Sequence, residues 1–278
     1  MKNKFIFNFT PTGMIPTKEM TEHVPITPEE IVTQVLEAAE ERVNMVHLHA
    51  RDYETGVPTY KKEVYSEIIS GIRKVNKDLV LCVSTSGRNL SEFEMRSECL
   101  ELSGDLKPDF GSLTLSSLNF NQQASMNAPD MIKALAQKML DNNIRPELEA
   151  FDLGMINYAK YLISKKLIKP PFYFNFILGN IACAQANMLS LGLMIKELPD
   201  NSMWSAGGIG NWQLKMNAMA LLEGGGVRVG LEDNIYYDDD RKYLATNLDL
   251  VKRLSTIAKV LGKEPYNPKE AREILGCS

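Results

Sequence analysis

The chain has 278 residues, 44% of them hydrophobic and 24% charged, a composition that supports a sizeable buried core and excludes a disordered polypeptide. A formal net charge of -4 and a pI near 5.6 argue against a nucleic-acid partner held by phosphate neutralisation. Cys82, Cys99, Cys183 and Cys277 contain no CxxC pair, which excludes a zinc ribbon or a disulfide framework.

The amino-terminal stretch MKNKFIFNFTPTGM is too briefly apolar for a signal peptide, and no run approaches the roughly 20 residues of a membrane span. A cytoplasmic protein without a membrane partner is expected. Short β-rich runs then alternate with helical patterns, as in consecutive βαβ units. A strand at 4–9 precedes a helix within 25–41, where Thr27 is the expected N-cap and Pro28 the first helical residue. Strands at 44–49, 79–84 and 109–115 are followed by helices at 62–75, within 90–102, and at 129–140. Strands at 145–150, 172–177, 203–206 and 226–230 are followed by helices at 155–165, 186–198, 211–223 and 245–262. A further helix is expected at 268–276, and no linker interrupts the series. Eight strand-helix units predict a single α/β domain over 1–278, a (β/α)8 TIM barrel with an extra carboxyl-terminal helix. The competing open, doubly wound sheet lacks its G-x-G-x-x-G fingerprint, because the first turn reads TPTGMIP.

Side chains of equal parity share one face of a strand. His47 and His49 alternate with Val46 and Leu48, Glu147 with Glu149 share a face, and Arg228 and Glu232 oppose Val227, Val229 and Leu231. Ser112, Thr114 and Ser116 likewise alternate with Leu113 and Leu115, while Cys82, Ser84 and Ser86 form a third polar row and Asn8, Thr10 and Thr12 a fourth. A barrel presents its apolar strand face to the helices, so the polar parity is the inner one. Charges buried there must pair with one another, with a metal or with a ligand. Two histidines at i and i+2 with a carboxylate from a distant strand end, His47, His49 and Glu232, would make an open three-ligand catalytic site. Such donors suit zinc and are shared with iron, cobalt and manganese. Hydrogen-bonded core histidines are the alternative reading. Glu147 is read as an inner-layer residue paired with an arginine, outside the catalytic set, and His23 as a loop residue.

The stretches HLHARD at 47–52, PITPEE at 25–30, TGMI at 12–15, LNF at 118–120, KPPFYFNFILG at 169–179, GGIG at 207–210 and VRVGLEDN at 227–234 resemble, in order along the chain, the β-keto acid cleavage enzymes. The resemblance implies a zinc-containing (β/α)8 barrel, usually oligomeric and often tetrameric, that exchanges acyl groups between a β-keto acid and acetyl-CoA. It assigns the metal to His47, His49 and Glu232, proton transfer to Asp233 supported by Arg228, and further catalytic positions to Ser84, Ser112 and Glu149. Thr12, Ile15, Thr114 and Ser116 fall on the substrate side. Gly207, Gly208 and Gly210, just before the seventh helix, are expected to offer backbone N–H groups to CoA phosphates.

Some positions depart from the family pattern. STSG at 84–87 places Ser86 where glycine is common, Thr114 and Ser116 stand where Asn and Gly are usual, and Asn211 follows GIG where arginine is frequent. Ile15 occupies the place of a glutamate that pairs with an ammonium-bearing substrate, so a cationic substrate tail is not expected. Arg228 and Asp233 could instead form only a structural ion pair. A metal-dependent aldolase or hydrolase independent of CoA and a catalytically silent ligand-binding relative remain the alternatives.

Overall fold

The computed structural model describes residues 3–277. Eight parallel strands close into a barrel in chain order: β1 (Phe7–Phe9), β2 (Met45–Leu48), β3 (Val80–Val83), β4 (Phe110–Thr114), β5 (Arg145–Ala150), β6 (Phe172–Leu178), β7 (Ser202–Gly208) and β8 (Gly226–Val229). Each pairs with its sequence neighbour, and β8 closes on β1 through Val227 against Phe7 and Arg228 against Asn8. The helices are α1 (Pro28–Glu40), α2 (Lys62–Val75), α3 (Phe93–Ser97), α4 (Pro129–Asp141), α5 (Leu153–Ser164), α6 (Met188–Lys196), α7 (Gln213–Leu222), α8 (Asn247–Val260) and α9 (Pro268–Leu275). The expected barrel is therefore the observed one.

Local chemistry sets the helix ends. Thr27 Oγ1 accepts from the Glu30 amide while Glu30 accepts from the Thr27 amide, with Pro28 at the first helical position. Such a reciprocal cap contributes about 1 kcal/mol. The same box recurs at Thr246 with Asp249 and at Asn267 with Glu270. α9 then stops at Gly276, whose φ of 70° is the left-handed conformation glycine adopts without a Cβ penalty.

The outward strand parity is apolar. Phe7, Phe9, Val46, Leu48, Leu81, Val83, Leu113 and Leu148 are buried in one continuous cluster with helix residues such as Ile31, Val35, Ile68 and Ile72. Each fully buried aliphatic side chain of this kind contributes roughly 1.5–3 kcal/mol. The inward parity is divided along the axis. At the amino-terminal end, Ile6, Met45, Val80, Cys82, Phe110 and Tyr173 form an apolar floor closed by Tyr266, Ala271 and Leu275 of the α9 region. Toward the carboxyl-terminal mouth the inner positions become polar.

Two elements differ from expectation. The run at 4–9 is divided: Lys4–Phe5 pairs outside the barrel with Glu264–Pro265, and only Phe7–Phe9 enters it. The buried Asn44 side chain bridges the division, accepting from the Phe7 amide and donating to the Phe5 and Tyr266 carbonyls. The helix expected within 90–102 is one short turn, Phe93–Ser97, continued by a 3₁₀ turn at Glu98–Glu101. Arg96 is drawn inward to hold loops, and the tighter turn seats Cys99 and Leu100 in the core.

Candidate metal and acid-base site

His47 lies in β2 and His49 directly after it, both pointing inward and both buried. The strand register places His47 opposite Cys82 of β3. His47 Nδ1 meets Glu147 Oε2 at 2.5 Å, which turns Nε2 toward His49 Nε2 at 3.3 Å. His49 Nε2 is in turn 3.2 Å from Glu232 Oε1. Glu232 follows β8 in the turn that begins at Gly230. Arg228 NH2 lies 2.8 Å from the same Glu232 oxygen, and Arg228 Nε donates to Asp233 Oδ2 at 2.8 Å. One guanidinium thus spans both carboxylates.

The residues fit a divalent metal. The ligand atoms of His47, His49 and Glu232 lie within 4.8 Å of one another. Tetrahedral coordination with bonds of about 2.0–2.1 Å separates neighbouring donors by about 3.3 Å, which matches the 3.2 and 3.3 Å found here. Glu232 Oε2 is buried without a hydrogen-bond partner, a costly condition that a cation would relieve. A second group of potential ligands, His47, Cys82 and Glu147, lies deeper and satisfies itself: the Cys82 thiol and the Asn8 and Asn175 amides all donate to Glu147. Burial pushes the Cys82 thiol well above its ordinary range, so it stays protonated. This deeper group is a hydrogen-bonded support for His47.

Glu147 therefore pairs with His47 and not with an arginine. A carboxylate that fixes the tautomer and orientation of a ligand histidine also raises its basicity. Burial opposes charge on His47, but Glu147 and Glu232 outweigh it and raise the imidazole to about 9. His49 is lowered, chiefly by burial. Burial would also raise Glu232, yet Arg228 and the two histidines carry it well below the usual carboxylate range. Asp233 goes the other way: burial and the nearby Glu232 hold it above the usual aspartate range against the pull of Arg228. Arg228 remains paired with Asp233, and the net direction makes this carboxylate a stronger base than an ordinary aspartate. Glu149 is likewise raised by burial, although Thr114 donates to it at 2.6 Å.

The cavity above these groups has a volume of about 300 Å³ and is lined by His49, Ser84, Thr114, Glu149, Arg228, Glu232 and Asp233, with Ile15 at its side. Ser112 faces inward, but its hydroxyl accepts from the Thr85 amide at 3.1 Å and belongs to the loop beneath the cavity. Thr12 is buried below the first loop and Ser116 turns its hydroxyl to the Ser117 carbonyl, so neither lines the cavity. Gly207 and Gly208 end β7 in close packing, where a Cβ would lie 2.9 Å from the Arg228 carbonyl and 2.5 Å from that of Trp212. The Gly210 amide is donated to the Asp233 carbonyl at 2.8 Å, which withdraws it from contact with a phosphate. These glycines let Arg228 and Asp233 sit where they do.

Other contributors carry no sequence periodicity. Arg96 donates to the Thr85 and Met126 carbonyls and to Asn127 Oδ1, tying the loop after β3 to the loop after β4. Arg51 ties the first loop to the next through the Pro16 and Gly56 carbonyls. Gly13 passes so close to Glu232 that a Cβ would lie 2.2 Å from Glu232 Cγ. Glu232 cannot swing aside without leaving Arg228 and His49. Gly13→Ala is expected to weaken metal retention by roughly 10- to 100-fold with the circular dichroism spectrum unchanged. A competition titration against a chelator measures it, and unaltered affinity would show that the first loop does not constrain Glu232.

A closed parallel barrel with three convergent donors and an adjacent ion-paired aspartate at its carboxyl-terminal mouth is the architecture of a barrel enzyme. The β-keto acid cleavage enzyme family matches residues 4–277, and the chain belongs to that family. It is 34% identical to 3-keto-5-aminohexanoate cleavage enzyme of Fusobacterium nucleatum subsp. nucleatum over 99% of this chain and 98% of that protein. It is 33% identical to 3-oxoadipate:acetyl-CoA acetyltransferase of Cupriavidus necator, covering 99% of this chain and 96% of that one. Among solved structures, apo ObcA superposes with a TM-score of 0.78 at 21% identity, covering 91% of this chain; the chain spans 65% of ObcA's length, and the likeness is one of fold. Among the described residues, no helix is long and apolar enough to cross a membrane.

Proposed function

We propose that this member of the family condenses a β-keto acid with acetyl-CoA and releases acetoacetate and a new acyl-CoA. The observation that carries the reading is the convergence of His47, His49 and Glu232, with His49 Nε2 3.3 Å from His47 Nε2 and 3.2 Å from Glu232 Oε1, beside the Arg228–Asp233 pair at the floor of one cavity. His47, His49 and Glu232 would hold a divalent cation, zinc by donor type, which would supply Lewis-acid polarisation of the bound keto acid. Asp233 takes a proton from the methylene between that acid's keto and carboxylate groups, and Arg228 keeps the Asp233 carboxylate aimed at that carbon. The carbanion attacks the thioester carbonyl of acetyl-CoA and CoA thiolate departs. The thiolate then attacks the original keto carbon, the carbon-carbon bond breaks, and Asp233 returns its proton to the acetoacetate formed. Ser84 and Thr114, which line the cavity, are placed to hold the substrate carboxylate or a developing oxyanion, with Glu149 ordering Thr114. Ser112 supports the same wall through Thr85.

We place the protein in the cytoplasm as a homo-oligomer, a tetramer by family habit. Exposed Ile181, Met188, Leu189 and Leu193 around α6 support assembly. CoA enters from the open mouth, with its phosphates outside the cavity. Incubation with short, branched and anionic β-keto acids plus acetyl-CoA should yield acetoacetate and a new thioester in equal amounts. Cleavage without a thioester would replace this reading with an aldolase or hydrolase, and no product from metal-loaded protein would leave a binding protein.

A further inference from the structure

Arg88 stands in the wall of the cavity and is half-buried. Its guanidinium lies 3.6 Å from the centre of the Phe120 ring, a stacked cation-π contact. Alone among the arginines of the described residues, it makes no hydrogen bond or ion pair through its guanidinium. Arg51, Arg96 and Arg145 reach backbone carbonyls, and Arg228 and Arg272 reach carboxylates. The acidic groups lining the cavity are Glu149, Glu232 and Asp233, all engaged elsewhere: Glu149 by Thr114, Glu232 by His49 and Arg228, and Asp233 by Arg228. None is within ion-pair distance of Arg88. A partly desolvated guanidinium left without an acceptor is a condition that a ligand anion resolves.

The arginine is also held in place. Its own amide donates to Ser86 Oγ, the preceding Gly87 carbonyl accepts from the Met126 amide, and Arg96 clamps Thr85 and Met126 on either side. Phe120 beneath it packs edge-on against Phe151 at 5.8 Å. A guanidinium already stacked and pinned loses little freedom on meeting a carboxylate. The remaining wall around Phe120 is uncharged, formed by Asn121, Gln122 and Gln123, and Ile15 offers nothing to a cation. A cavity of about 300 Å³ is of the size that takes a small acid, and the keto acid is the anion assigned here to Arg88. The reactive carboxylate of that acid is needed at His49 and Glu232, which Arg88 does not touch.

We propose that Arg88 selects β-keto acids bearing a second carboxylate at the far end of the acyl chain, held in a bidentate pair over the Phe120 ring. This rests on the β-keto acid reading above and narrows it to keto diacids. The test compares 3-oxohexanedioate with 3-oxohexanoate, equal in chain length and different only in the terminal charge. Equilibrium binding of each acid to metal-loaded protein without acetyl-CoA is measured first, then kcat/KM with acetyl-CoA.

The diacid is expected to bind roughly 10- to 100-fold more tightly. Arg88→Met should erase that difference while leaving metal content, the binding of 3-oxohexanoate and the KM for acetyl-CoA as they were. Arg88→Lys should restore part of it, since a point charge replaces the fork. Equal loss for both acids would overturn the proposal by placing Arg88 at the reactive carboxylate, and a raised KM for acetyl-CoA alone would overturn it by placing Arg88 at the thioester. Binding discrimination without any turnover would sink the acyl-transfer reading and leave Arg88 its role; turnover without discrimination would do the reverse.

Discussion

Purified His49→Ala protein is expected to carry little divalent metal and to lose at least about 10³-fold in turnover, because a Lewis acid supplies several kcal/mol and each ~1.4 kcal/mol is tenfold. His49 Nε2 stands between the other two donors, 3.3 Å from His47 Nε2 and 3.2 Å from Glu232 Oε1. Its removal takes one of three ligands and leaves a single imidazole and a carboxylate at the site. Elemental analysis after gel filtration gives the metal-to-protein ratio. His23→Ala is the control, since His23 lies in the loop before α1 and no donor group includes it. Undiminished metal in His49→Ala would dissolve the donor set, whatever happened to activity.

Asp233→Asn should show the opposite separation, with metal retained and kcat lowered by roughly 10²- to 10⁴-fold, the usual contribution of a positioned base. The amide can keep a contact with Arg228, which holds the side chain at 2.8 Å through Nε, but it cannot accept the methylene proton. Deuterium exchange at that methylene, followed without acetyl-CoA, isolates the first step from the later carbon-carbon chemistry. Loss of turnover with wild-type exchange would move the base elsewhere, with Glu149 the next carboxylate in the cavity. Asp233→Ala guards against an amide that merely disturbs Arg228, and both variants should fail alike.

The barrel and its donors were legible because strand periodicity is a property of the backbone itself. Once eight β-rich runs are found, alternation alone sends His47, His49, Glu147, Glu149 and Arg228 inward and their apolar neighbours outward. Alternation does not say which inner residue meets which. His47 and Glu147 are 100 positions apart and come together only through closure and stagger of the sheet, so Glu147 read as an arginine's partner. Ser112 and Thr114 have the same parity, yet one step along β4 separates a hydroxyl under the loop from one in the cavity. Loops have no period at all. Arg51, Arg88 and Arg96 act through carbonyls and a ring in other loops, and nothing in the spacing of residues announces such contacts. The glycines at 207 and 208 were visible as a motif, but their use in making room for Arg228 and Trp212 depends on β8 and α7 lying against them.

The apolar plug that α9 presses against Met45, Val80 and Phe110 works at a distance from the mouth. It covers the floor of the inner row, and Glu147, the carboxylate that steadies His47, is wholly buried. A helix that touches no reactant therefore keeps the surroundings of those inner charges low in dielectric, so the contact between Glu147 and His47 is weakly screened.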